Sequence, residues 1–213
     1  MIWVPIIITV AVITAGTAVF IVATKPKKVS GVSLGVLGDT KSGKTSFLYR
    51  LGLVKNDGQP GGGTIRDEFV NPAIIKTKKR KINVNPGLDI GGTPMLQKKY
   101  TAEYCKSNDI VIYIFDGLKF LNEKQYKEYV NRILRVIYNL FNDNSRDLKE
   151  AVIIASRADK YKDGSKQPRQ EMLVNIVNSI DDEIRDIVDT NFYVMNLTSK
   201  EEVQRFAEKV FGK

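Results

Sequence analysis

Residues 38–45 read Gly-Asp-Thr-Lys-Ser-Gly-Lys-Thr, an uninterrupted Gly-x-x-x-x-Gly-Lys-Thr pattern. Each residue type in it has a task at a phosphate. Gly38 and Gly43 let the backbone curl until successive N–H groups, across Asp39, Thr40, Lys41 and Ser42, face one anion. Lys44 adds a point charge suited to β- and γ-phosphates, and the hydroxyl of Thr45, just ahead of Ser46, is a hard oxygen that Mg²⁺ accepts. The bland alternative is a Gly/Ser turn with a chance Lys-Thr. The flanks argue against it. Val32–Leu37 is strand-like and Ser46–Leu51 starts like a helix, and strand, glycine loop and helix is the order that phosphate binding requires.

The elements that must hold this loop follow from the apolar patterning. Phe69–Lys76 and Lys81–Leu88 read as two strands joined by a turn at Thr77-Lys78-Lys79-Arg80. Asp109–Asp116 is a continuous apolar run, as in a strand covered on both faces, and Ala151–Ala155 is another. The spacing of Tyr126, Tyr129, Val130, Ile133, Leu134, Ile137 and Leu140 predicts a helix over Asn122–Phe141. Arg169–Ile187 reads as one or two helices, Asn191–Met195 as a last strand and Lys200–Phe211 as a last helix. Alternating strands and helices predict an α/β fold, a three-layer phosphate-loop domain with a mostly parallel central sheet.

The single cysteine, Cys105, excludes an internal disulfide and fits a reducing compartment. Histidine is absent, so a metal site must use oxygen ligands. With 33 Lys and Arg against 24 Asp and Glu, the net charge of +9 suggests an acidic partner such as nucleotide or anionic lipid. No nucleic-acid-binding motif is present, and none is expected as a partner.

Ile2–Thr24 carries no charged residue, and Lys25, Lys27 and Lys28 follow it. As a helix, at 1.5 Å per residue, it would span about 35 Å, enough for a hydrocarbon core. The expectation is a transmembrane helix over 2–24, a linker over 25–31 and a phosphate-loop domain over 32–213. Positive charge after the run puts that domain on the cytosolic face. A cleaved signal peptide competes, but it lacks a charged leading region here.

Four further stretches complete a pattern. Thr64 lies in Pro-Gly-Gly-Gly-Thr-Ile, Asp89-Ile90-Gly91-Gly92 follows a strand and a Pro-Gly bend, and Ser156-Arg157-Ala158-Asp159 follows the strand Ala151–Ala155. Thr198-Ser199-Lys200 follows the last strand. From residue 32 onward the chain thereby resembles a Ras-like small GTPase, in style nearest to the ADP-ribosylation-factor branch. With its amino-terminal run it also resembles the beta subunits of the signal-recognition-particle receptor. That resemblance implies GTP or GDP and Mg²⁺ as ligands, with Thr45, Thr64 and Asp89 around the metal. It implies that Thr64 and the Gly92 N–H sense the γ-phosphate beside Lys44. It implies that Asp159, with Ser156 and Arg157, reads guanine, and that Thr198, Ser199 and Lys200 back the base. A carboxylate at 159 can accept hydrogen bonds from the ring N–H and amine of guanine, donors that adenine lacks.

The resemblance has departures. Ser156 stands where Asn or Thr is expected and Arg157 where Lys is expected, although a flat guanidinium can still lie against a base. Thr93 replaces the glutamine that would orient the attacking water, so intrinsic hydrolysis is expected to be slow. Arg66 reads as a solvated loop arginine rather than a charge donor. The expected role is a membrane-anchored switch recruiting an effector or receptor partner, in the endoplasmic reticulum if the source is eukaryotic. A GTP-binding scaffold with negligible turnover and a phosphate-loop ATPase stay open as alternatives. The run Lys76-Thr77-Lys78-Lys79-Arg80-Lys81 could touch anionic headgroups or dock an acidic partner, or could simply be a solvated turn that blunts a sheet edge.

Overall fold

The computed structural model describes residues 9–12, 19–22, 27–55, 66–68, 73–85, 88–90, 101–102, 105–142, 150–161, 167–185 and 191–212. The strands are β1 (Thr9–Val12), β2 (Val19–Val22), β3 (Lys27–Val32), β4 (Leu34–Gly38), β5 (Arg66–Glu68), β6 (Ala73–Lys76), β7 (Arg80–Val84), β8 (Leu88–Ile90), β9 (Ile110–Asp116), β10 (Glu150–Ser156) and β11 (Phe192–Val194). The helices are α1 (Lys44–Leu51), α2 (Gly117–Asn122), α3 (Lys124–Phe141), α4 (Pro168–Val177) and α5 (Lys200–Phe211), with a 3₁₀ turn at Asp182–Ile184.

A parallel sheet in the order β11-β10-β9-β4 forms the centre. A second sheet, β3-β7-β6, pairs β3 with β7 in parallel and β7 with β6 as a hairpin. The two meet in one stretch of chain, because β3 runs into β4 with only Ser33 between them. Ser33 is pinned there: its N–H donates to Asp109 Oδ2 at 2.8 Å, and its carbonyl accepts from the N–H groups of Asp109 and Ile110.

Strict alternation along the central strands fills two cores. Ile112, Ile114, Val152 and Ile154 face one side, where α1 and α5 pack with Phe47, Leu48, Val203 and Phe206. Val111, Tyr113, Phe115, Ile153 and Ala155 face the other, against Val130, Leu134 and Ile137 of α3 and Met172 and Ile176 of α4. A strand covered on both faces has no polar positions to offer, which explains the unbroken apolar runs. Cys105 belongs to the second core, and burial pushes its thiol up to about 12, so it acts as a neutral apolar filler.

The expected helix over Asn122–Phe141 is divided. Asn122 ends α2, and Glu123 is extended at φ −118° and ψ 108° before α3 begins. In the amino terminus, described stretches fall within two of the expected segments. Where a helix over 2–24 is expected, the described residues form two strands, with Thr9 paired antiparallel to Val22 and Val12 to Val19. Six of those eight residues are β-branched, which favours a pleated arrangement. Among the described residues no helix is long and apolar enough to cross a membrane. The expected linker over 25–31 is largely strand β3, with Lys27 in register with Arg80 and Val32 with Val84. Its Lys, Ser and Gly content reads as loop in isolation, but the free edge of β7 supplies the partner. A register shift between Val29 and Val32, with Gly31 at φ 80°, accommodates the glycine.

Phe206 of α5 meets Phe47 edge-on at 5.5 Å and Tyr193 edge-on at 5.1 Å. It joins the helix after the phosphate motif to the last helix and the last strand. Phe206→Ala is expected to lower stability by about 3–5 kcal/mol, read as a shift in the urea midpoint at unchanged slope. A loss below about 1 kcal/mol would show that this contact is not part of the core.

Candidate nucleotide site

Parallel pairing brings the carboxyl ends of β4, β9, β10 and β11 to one edge of the sheet, where α/β sheets place their ligands. Gly38 is in register with Ile114, Ser156 with Asp116, and Ala155 with Val194. The motif loop, the loop after β10 and the loop after β11 therefore emerge side by side.

The motif loop lies tightly on β9. The Asp39 N–H donates to the Ile114 carbonyl at 3.3 Å, and the Ser42 N–H to the Asp39 carbonyl at 3.1 Å. A Cβ at Gly38 would meet the Ile114 carbonyl oxygen at 2.7 Å and Ser42 Oγ at 2.9 Å, so only glycine fits. Gly43 caps α1 at φ 94°, with Leu197 of the last loop 3.2 Å from where a Cβ would be. Thr40 and Lys41 are exposed, Thr45 and Ser46 half-buried, and Lys44 only 5 % exposed. An ammonium so enclosed is stable only among acceptors or opposite charge, which a bound phosphate would add. Ser42 Oγ is fully buried with no hydrogen-bond partner among the described residues. That orphaned hydroxyl, the glycine cradle and the enclosed lysine fit a phosphate group.

The loop after β10 is tied to this cradle. Arg157 reaches across with its guanidinium: Nη2 donates to the Lys41 carbonyl at 2.9 Å, and Nε lies 3.4 Å from Asp116 Oδ2. Lys41 and Arg157, at φ 65° and 69°, are the two non-glycine residues with positive φ among the described residues. Such backbone is held only where the surroundings fix it, and it clusters at ligand sites. Here the two strained residues hold each other. The Ala158 N–H donates to the Met195 carbonyl at 3.4 Å, which brings in the last loop. There, Asn196 Oδ1 accepts from the N–H and the hydroxyl of Thr198, and Ser199 caps α5 by accepting from the Glu202 N–H. Lys200 opens that helix and is exposed. Asp159 is exposed, with Lys160 Nζ at 3.7 Å, and Ser156 Oγ is buried without a partner among the described residues. The structure thus brings together the residues expected at the phosphates, 38–46, and those expected at the base, 156–159 and 198–200.

Thr64, Gly92 and Thr93 lie outside the described residues. Asp89 is placed by its backbone alone, in β8, opposite Asp67 of β5. Among the described residues no group of three or more His, Cys, Asp or Glu forms a metal centre. Of the expected magnesium ligands, only the Thr45 oxygen is therefore positioned, in the first turn of α1.

Two participants were not anticipated from the sequence. Tyr126 of α3 donates its hydroxyl to Asp39 Oδ2 of the motif loop and accepts from the Asp116 N–H at 3.0 Å. Burial, then the negative charge of Asp39, holds the phenol of Tyr126 well above the ordinary tyrosine range, and the same two causes raise Tyr113 and Tyr129. Asp116 caps α2 by accepting from the N–H groups of Leu118 and Lys119, at 3.0 and 3.1 Å. An unbroken polar chain results, Arg157–Asp116–Tyr126–Asp39, running beneath both loops. Asp116 carried a sequence signal, a carboxylate between a strand and a helix. Tyr126 was indistinguishable from its apolar stripe.

No protein-family model matches the chain, and no curated protein matches it. Solved structures do. A bacterial selenocysteine-specific elongation factor superposes with a TM-score of 0.55 at 15 % identity over 85 % of this chain; the chain spans 28 % of that protein's length. The small GTPase Arl6 (BBS3) from Trypanosoma brucei, solved with the bound nucleotide analogue GppNp, superposes with a TM-score of 0.53 at 14 % identity, covering 87 % of this chain and 96 % of its own. At such identities the likeness is one of fold: this chain has the α/β fold, with its mostly parallel sheet, of a small GTPase domain.

Removing the Tyr126 hydroxyl leaves a mostly buried carboxylate at Asp39 with one donor fewer. Tyr126→Phe is expected to lower stability by about 1–2 kcal/mol, measured by denaturant unfolding. An unchanged midpoint would show that the hydroxyl bonds nothing in solution.

Proposed function

We propose that this chain binds GTP at the edge formed by the loops 38–45, 156–159 and 195–200, hydrolyses it slowly, and serves as a membrane-tethered switch. The observation that carries the reading is the hydrogen bond from Arg157 to the Lys41 carbonyl. It sets the loop expected at the base at a fixed position against the loop expected at the phosphates. A nucleotide needs both ends at once, and neither loop alone would specify one.

The chemistry is transfer of the γ-phosphoryl group to water: the bond from the γ-phosphorus to the bridging oxygen breaks and a bond to the water oxygen forms. This chain's part is to bind and to place charge. Lys44 and the main-chain N–H groups of the motif loop would offset the negative charge on the phosphate oxygens. Mg²⁺, held through Thr45 and, by resemblance, Thr64 and Asp89, supplies electrostatic stabilisation of the phosphates when bound. Asp159 would accept from the guanine ring N–H and amine. Arg157 is already engaged with Lys41 and Asp116, so its stem rather than its guanidinium is the part left to face a base. Thr64 and Gly92 would hold their loops near the γ-phosphate and release them after hydrolysis, which an effector could read.

The charge-free run 2–24 would provide the tether. In lipid, a pair of short strands leaves edge N–H and C=O groups unsatisfied, and the run is long enough to satisfy them as a helix instead. The scaffold reading, a GTP-binding receptor subunit with negligible turnover, is favoured by Thr93, which is too short to orient water as glutamine does. Phosphate release in excess GTP separates it from the switch.

Lys44→Ala is expected to weaken retention of a fluorescent guanine nucleotide by about a hundredfold or more; retention equal to the parent chain would sink the phosphate site. Asp159→Asn is expected to reverse the preference from guanosine toward xanthosine nucleotides by about tenfold or more, read by competition. If the guanosine preference survives, Asp159 does not read the base.

A further inference from the structure

The strand directions divide the domain into two poles. The stretch β3–β4 enters at Lys27 and ends at Gly38 in the phosphate motif, so the candidate site lies at the end where it stops. Because β3 pairs in parallel with β7, Lys27 and Lys28 are in register with Arg80 and Lys81, at the start of β7. The β6–β7 turn therefore sits at the opposite pole, where the apolar amino-terminal run joins the domain.

That turn is built rigidly and presents its charges outward. The Thr77 hydroxyl donates to the Arg80 carbonyl at 2.9 Å and accepts from the Arg80 N–H at 3.0 Å. The carboxylate of Glu208 in α5 accepts from the Lys78 N–H with both oxygens, at 2.8 and 2.9 Å, and Gln204 holds the Lys76 carbonyl. Lys76, Lys78, Lys79 and Lys81 are exposed. Glu208 keeps its negative charge while it accepts from that amide, but one carboxylate beside the five cations Lys76, Lys78, Lys79, Arg80 and Lys81 leaves the patch with a net positive charge.

We infer that the pole formed by Lys27, Lys28, Lys76, Lys78, Lys79, Arg80 and Lys81 docks on an anionic bilayer surface, orienting the nucleotide site away from the membrane. Two separate segments meet to make it, and the charge-free run 2–24 ends three positions before Lys27. Anionic headgroups complement the patch, and attraction to them acts within about a Debye length, roughly 8–10 Å. This deepens the tethered reading and rests on it.

The test uses the full chain with vesicles of phosphatidylcholine alone and of phosphatidylcholine with phosphatidylserine. Flotation reports the tether. Acylation of lysines by an amine reagent, followed by mass spectrometry, reports the pole, with Lys119 and Lys124 near the candidate site as internal controls. The expected result is flotation with both vesicles and acylation of Lys76, Lys78, Lys79 and Lys81 about threefold or more slower on the acidic ones, relative to the controls, relieved by salt. Flotation with equal acylation on both vesicles overturns the pole and leaves the tether. Flotation on acidic vesicles only, with these lysines protected, supports the pole and overturns the tether. No flotation on either overturns both. Lys78→Gln with Lys79→Gln, two exposed turn positions, should remove most of the protection of Lys76 and Lys81; protection that persists would also overturn the assignment.

Discussion

Strand β9, Ile110–Asp116, carries the site. It is hydrogen-bonded on both sides, to β4 and to β10, and its side chains enter both cores. Its Ile114 carbonyl receives the Asp39 N–H and leaves no room for a side chain at Gly38. Two residues on, Asp116 holds Arg157, starts α2 and positions Tyr126 through its own N–H. A shift of this strand by one residue would exchange its two faces and detach both loops. The register of a strand that is buried on both sides is therefore the constraint from which the geometry of the edge follows.

Strain and polarity are concentrated where that strand ends. Lys41 and Arg157 adopt left-handed backbone, which costs free energy for a residue with a Cβ, and each is locked by the hydrogen bond between them. Buried polar atoms gather in the same place: Asp39, Ser42, Lys44 and Ser156. A core built for stability alone would not bury this many polar groups together. The pattern suits a site that meets a charged ligand, with Tyr126 of α3 supporting Asp39 from behind. The opposite pole, with its exposed lysines and bonded turn, has no such burial, so any role it has rests on long-range charge.

The sequence displayed much of this and concealed a definite remainder. Lys200–Phe211 was legible to the residue, because Ser199 caps it and its apolar spacing is regular. The turn Thr77–Arg80 was legible because charged residues separate two β-rich segments. Strand β3 was not legible: Lys27, Lys28, Ser30 and Gly31 have no strand signal, and only the open edge of β7 makes them one. The break at Glu123 was hidden because the apolar spacing continues across it.

For the candidate site, the octet 38–45 stood out by residue type and spacing, and the stretch 156–159 by its resemblance to a base-reading station. The sequence by itself determined those residues, the absence of histidine and disulfide, and the alternation of strands and helices. Tertiary structure decided the rest: that Arg157 binds a backbone carbonyl 116 positions earlier in the chain, that Tyr126 supports Asp39, and that the basic turn lies where the apolar run enters. These depend on which strands become neighbours. Local propensity does not encode that choice, because it arises from burying two faces of one sheet at the same time.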